Sequence, residues 1–174
     1  MKKLILILFF LPLSLFGQLH LGDIVSYTSD DIEFIIKKPL PFEESNNAFG
    51  ADKATLVRSF FNKENLVVIQ IHSNPILKEF QNDMNKLMED FEMARNIFAR
   101  TRGPINEIVS FERIVINNRP FYELTYIKNH VEKQMAWITV HKNHLININN
   151  STTISNFDSI EWFLNDFKKH IEIR

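Results

Sequence analysis

The chain has 174 residues, 45% of them hydrophobic and 24% charged, a balance that excludes a disordered or collagen-like polypeptide. Twenty basic residues against twenty-one acidic ones leave a net charge of −1, which is not a nucleic-acid footprint. The lack of cysteine removes disulfides, thiolate nucleophiles and iron–sulfur clusters, and four glycines are too few for a Walker A loop, a GxGxxG turn or a GxSxG elbow.

The first element is a leader. Lys2 and Lys3 precede an apolar run from Leu4 to Phe16, and Gly17 is small enough for the last position before a cleavage site. The run is shorter than the ~18–20 residues that a membrane span needs. Residues 1–17 are therefore predicted to be a signal peptide, and 18–174 a single exported domain, secreted or periplasmic, in a bacterial export setting. No later segment is apolar enough to span a bilayer. Loss of Lys2 and Lys3 with the leader moves the charge from −1 to −3, and 13 of the 16 phenylalanines remain to build a core.

The mature part opens with a short strand at 24–27 and a firmer one at 32–37, where Ile32, Phe34 and Ile36 share a face and Pro39 and Pro41 end the run. Residues 43–52 read as a loop. Strands at 55–61 and 66–72 are joined by a polar turn, as in a hairpin. A long helix is predicted from Asn74-Pro75, with Ile76, Phe80, Met84, Leu87, Phe91, Ala94 and Phe98 on one stripe and Gly103-Pro104 as its stop. A meander follows at 107–116, 121–127, 133–141 and 145–149, with asparagine-rich turns between the runs. The last element is a helix over about 156–171, capped by Ser155 or Asn156, with Ile160, Phe163, Leu164, Phe167 and Ile171 on one face.

The meander strands are apolar on both sides. Met135 and Trp137 oppose Ala136, Ile138 and Val140, while Tyr122, Leu124 and Tyr126 oppose Phe121 and Ile127. Such strands must be covered on both faces, and two amphipathic helices are on offer. The predicted fold class is α+β, an antiparallel sheet with helices on both faces, or α/β/α sandwich.

Three stretches carry a family likeness. They are residues 32–39 (IEFIIKKP), 114–122 (IVINNRPFY) and the closing helix from Ile160 to Ile171. The first resembles the opening strand of the PsbP-like family running into a proline. The second resembles that family's hydrophobic–Asn–Gly–x–Pro/Ala–aromatic turn, with Asn118 in the place of the glycine, and the third resembles its closing helix. The family is named for a small extrinsic subunit of photosystem II. The resemblance spans nearly the whole mature chain and implies the α/β/α sandwich and a non-catalytic accessory or binding domain. It transfers no ligand-binding residue and no photosynthetic role.

The remaining constellations are sparse. His141 and His144 straddle a turn with no acidic neighbour in sequence, which argues against a metal site, and no cofactor is expected. His72 ends a strand and reads as a rim residue. Glu107, Glu112 and Glu123 would have to converge with His141 to support hydrolysis. The first expectation is therefore a non-enzymatic domain that binds an unknown protein partner in the cell envelope, with Phe157 and Trp162 as a candidate partner surface. The alternative is a carrier of a small hydrophobic, lipid-like ligand, lined by Phe80, Met84, Leu87, Met88 and Phe91.

Overall fold

A computed structural model describes residues 18–46, 55–75 and 105–174. The predicted leader and nearly all of the predicted long helix, including Phe80, Met84, Leu87, Met88 and Phe91, lie outside the described residues. Among the described residues the chain is mostly strand, in two antiparallel sheets. The smaller sheet contains β1 (His20–Ser29) and β2 (Ile32–Leu40). The larger contains β3 (Glu43–Ser45), β4 (Leu56–Asn62), β5 (Val67–Pro75), β6 (Ile105–Ile116), β7 (Arg119–Lys128), β8 (Glu132–His141) and β9 (His144–Thr153). Among the described residues one α-helix, α1 (Ile154–Phe167), leads through a 3-10 turn (Lys168–His170) into β10 (Glu172–Ile173). Strand order is β1-β2-β10 in the small sheet and β3-β4-β5-β9-β8-β7-β6 in the large one.

Local chemistry explains the meander. Its three loops each carry two successive residues with positive φ: Asn117-Asn118, Asn129-His130 and Lys142-Asn143. Left-handed pairs of this kind match the right-handed twist of the flanking strands, and asparagine enters that region at low cost. Trp137 then lies opposite Glu123 on β7 and Ile148 on β9, so all three share one side of the sheet.

That side holds the main core. Phe60, Ile69, Ile71, Phe121, Met135, Trp137, Ile146 and Ile148 meet Ile32, Phe34 and Ile36 from β2 and Phe157, Ile160, Leu164 and Phe167 from α1. Each fully buried ring or branched chain contributes about 1.5–3 kcal/mol of transfer free energy. The other side carries a separate buried cluster of Leu124, Tyr126, Ala136 and Ile138. Beside it, Gln70, His72, Gln134, Asn147 and Asn149 are buried polar groups, and the Tyr126 hydroxyl donates to Gln134 Oε1 at 2.6 Å.

The sandwich with helices on both faces is thus corrected. The strands are apolar on both sides, but alternation says only that a face is covered, not by which element. Over the main core the cover is one helix together with a second sheet. Other boundaries move for the same reason, because tertiary pairing overrides a local signal. Asn74 and Pro75 pair with Leu145 and His144 as strand residues, so they do not start a helix. Pro39 lies within β2, facing Leu21. The closing helix stops at Phe167, and its N-cap is Thr153 without a side-chain capping bond. His72 is not on a rim; it is 2% exposed within β5, and its Nδ1 is 3.2 Å from Thr55 Oγ1.

Candidate functional site

The β6–β7 turn is fastened to the last segment of the chain. Asn117 Nδ2 donates to the carbonyls of Lys169 at 3.1 Å and Ile171 at 2.8 Å. Two residues later, Arg119 donates from Nη2 to the Ile173 carbonyl at 3.1 Å and from Nη1 to His141 Nδ1 at 3.0 Å. On the far side β10 pairs with Phe34 and Ile35 of β2, and Glu33 and Arg174 exchange backbone hydrogen bonds of 3.1 and 2.9 Å. A two-residue strand is thereby held between β2 and a hairpin turn. Between that turn and the strand lies an open cleft of about 300 Å³, lined by residues 116–121 and 171–173.

Its electrostatics are unbalanced. Guanidinium nitrogens only donate, so Nδ1 of His141 must accept and the imidazole is neutral with its proton on Nε2. Burial lowers the His141 pKa first, the Arg119 charge lowers it further, and the Arg174 backbone opposes both more weakly. Burial also lowers the pKa of Arg119, which nevertheless stays charged across the working pH range. Both of its hydrogen-bond acceptors are neutral, and among the described residues no carboxylate pairs with it. Glu172, also in the cleft wall, is engaged by Arg174 Nε at 2.8 Å.

One pH effect follows. A histidine whose pKa is depressed by folding adds stability above its unfolded value near 6.5, and that contribution is lost as pH falls through the folded value. Urea midpoints are expected to drop between pH 7 and pH 5, and His141→Gln should flatten part of that slope. An equal slope in the variant would contradict the assignment.

The other sequence candidates are placed as follows. His144 is the register partner of His141 across β8 and β9, but its Nε2 faces Asp30 at 3.4 Å and its Nδ1 meets the Lys142 carbonyl at 2.9 Å. Lys142 Nζ in turn bonds the Asp31 carbonyl. Among the described residues no group of three His, Asp or Glu is arranged to hold a metal. Glu112 and Glu123 are opposite each other on β6 and β7. Glu123 is committed elsewhere, since its Oε2 accepts from Trp137 Nε1 at 2.8 Å and Lys168 Nζ at 2.7 Å. Nδ1 of His141 is engaged by Arg119 rather than by any of these glutamates.

Phe157 is corrected as a surface residue. It is 1% exposed, on the Ile160–Leu164–Phe167 stripe, with Lys133 Nζ 4.0 Å above its ring. Trp162 lies off that stripe and is 54% exposed, with Nε1 bonded to the Ser159 carbonyl at 2.9 Å. Sequence reasoning does not single out Arg119, although a signal exists. Period-two alternation places it on the same side as Phe121 and Glu123, so an arginine was due to point inward.

No family model matches the sequence, and no curated protein matches it. Among solved structures, the solution structure of cyanobacterial PsbP (CyanoP) from Synechocystis sp. PCC 6803 matches with a TM-score of 0.61 and 13% identity, over 91% of this chain and 96% of that one. The chain therefore has a PsbP-like fold, and at this identity the likeness is one of fold. Among the described residues no helix is long and apolar enough to cross a membrane.

Proposed function

We propose that this chain is a non-enzymatic accessory domain, exported with loss of residues 1–17, which binds a protein partner in the cell envelope through the cleft beside Arg119. The observation that carries this is the half-buried guanidinium, held by two neutral acceptors at the mouth of an open cleft. Among the described residues no carboxylate pairs with this cation, which is costly in the free domain, and an incoming group offsets that cost. The PsbP-like fold supports the accessory role. The cleft also lies where two sheets meet, at a rigid turn, so a partner would meet a preorganised surface.

The test is site-specific photo-cross-linking. A cross-linking residue at Asn118 of the full chain, produced in its native cells, should give one discrete protein adduct in the envelope fraction, on a chain whose mass begins at Gln18. The same residue at Asp23 should not give that adduct. Identical adducts from both positions, or none from Asn118, would contradict the reading.

A further inference from the structure

We infer that the group entering the cleft is an acidic side chain of a partner protein segment, received by the free edge of the Arg119 guanidinium. The inference rests on the docking reading above and names its chemistry. Arginine presents five N–H donors in a planar fork. Two nitrogens already donate, to His141 Nδ1 and the Ile173 carbonyl, which fixes the plane of the group and leaves other donors unused. A fork with a fixed plane is matched by a carboxylate, which accepts two parallel hydrogen bonds, and charge-assisted bonds of this kind are about twice as strong as neutral ones.

Among the described residues, two carboxylates on the elements around the cleft have other partners. Glu172 is drawn off by Arg174, and Glu123, on the same side of β7, is held by Lys168 and Trp137. Among the described residues, then, none supplies Arg119 with a counter-charge. The cleft's size narrows the occupant. About 300 Å³ lies at the lower bound of small-molecule pockets and suits one or two side chains better than a whole metabolite. Ile116, Phe121, Ile171 and Ile173 also border the cleft, with side chains only 1–6% exposed and packed in the main core, so its floor is held firmly.

The probe is a capped tripeptide, acetyl-Leu-Glu-Leu-amide, titrated into the full mature chain and followed by amide shifts in a two-dimensional nitrogen–proton spectrum. Amides of residues 117–121 and 171–173 should move together. The isosteric glutamine peptide should bind at least tenfold more weakly, and R119Q should reduce the glutamate peptide to the same level. R119K, which keeps the charge but not the fork, should fall between. The glutamate–glutamine comparison uses the unaltered chain, so it stands even if R119Q disturbs the last strand. Equal binding of the two peptides, or no shift at those residues, overturns the inference. Inorganic phosphate shifting the same amides as strongly as the glutamate peptide also overturns it, as a site for free anions. If the glutamate peptide fails while the Asn118 cross-link persists, docking stands without the carboxylate; if the cross-link fails as well, both are lost.

Discussion

Trp137→Ala is expected to lower folding stability by about 4 kcal/mol, the middle of the range for removing a large aromatic from a packed core. Trp137 is 0% exposed, on an interior strand of the seven-stranded sheet, with its ring centroid 6.1 Å from that of Phe167. Two terms add. The indole's transfer free energy is lost, and a rigid sheet closes the resulting cavity poorly because β7 and β9 hydrogen-bond to β8 on both sides. The Nε1–H leaves with the ring, so Glu123 also loses a donor. Against a typical total of about 5–15 kcal/mol, the variant should be near its unfolding limit. The urea midpoint should fall steeply with an unchanged slope. A loss below about 1 kcal/mol would mean that Trp137 is not packed as described.

Glu123→Ala should cost about 2–3 kcal/mol. One carboxylate oxygen, Oε2, accepts from both Trp137 and Lys168, and the side chains of Glu123 and Lys168 are only 16% and 21% exposed. Truncation strands a tryptophan N–H in the core and leaves a mostly buried ammonium without its acceptor. Glu123→Gln keeps an acceptor for the indole and removes only the charge, so it should cost about half as much. The order alanine, then glutamine, then the native chain is the checkable result in urea unfolding. A double-mutant cycle with Lys168→Met should show coupling of about 1 kcal/mol or more, since neither partner is solvent-screened as at an open surface. Equal effects of alanine and glutamine would remove the charge from the account.

These two residues also show how far the sequence could be read. Trp137 was assigned to a two-faced strand from alternation alone, and it lies with Met135 opposite Ala136 and Ile138 as that pattern requires. The meander loops were legible because asparagine marks left-handed positions. Alternation could not reveal β10, since a two-residue strand after a helix has no period of its own. The helical stripe through Ile171 is continuous with it, and only pairing with Phe34 and Ile35 of β2 makes the last residues extended. The same holds for Asn74-Pro75, a good capping signal overruled by eight register partners between β5 and β9. The cleft was harder still. Asn117 and Arg119 lie in the asparagine-rich turn motif, but the carbonyls they bond on the last segment lie some fifty positions away, at separations of 52 and 54 for Asn117 and 54 for Arg119. A contact of that range leaves no local trace. Trp162 shows the converse, because its place off the helical stripe was enough to leave it exposed at 54%.

The proposed docking of an acidic group between Arg119 and β10 is the point on which the function depends. It is tested most directly by competition. Increasing acetyl-Leu-Glu-Leu-amide should progressively abolish the Asn118 cross-link, while the glutamine peptide at the same concentrations leaves it intact. An adduct that survives saturation of the cleft by the glutamate peptide would show that the partner docks elsewhere.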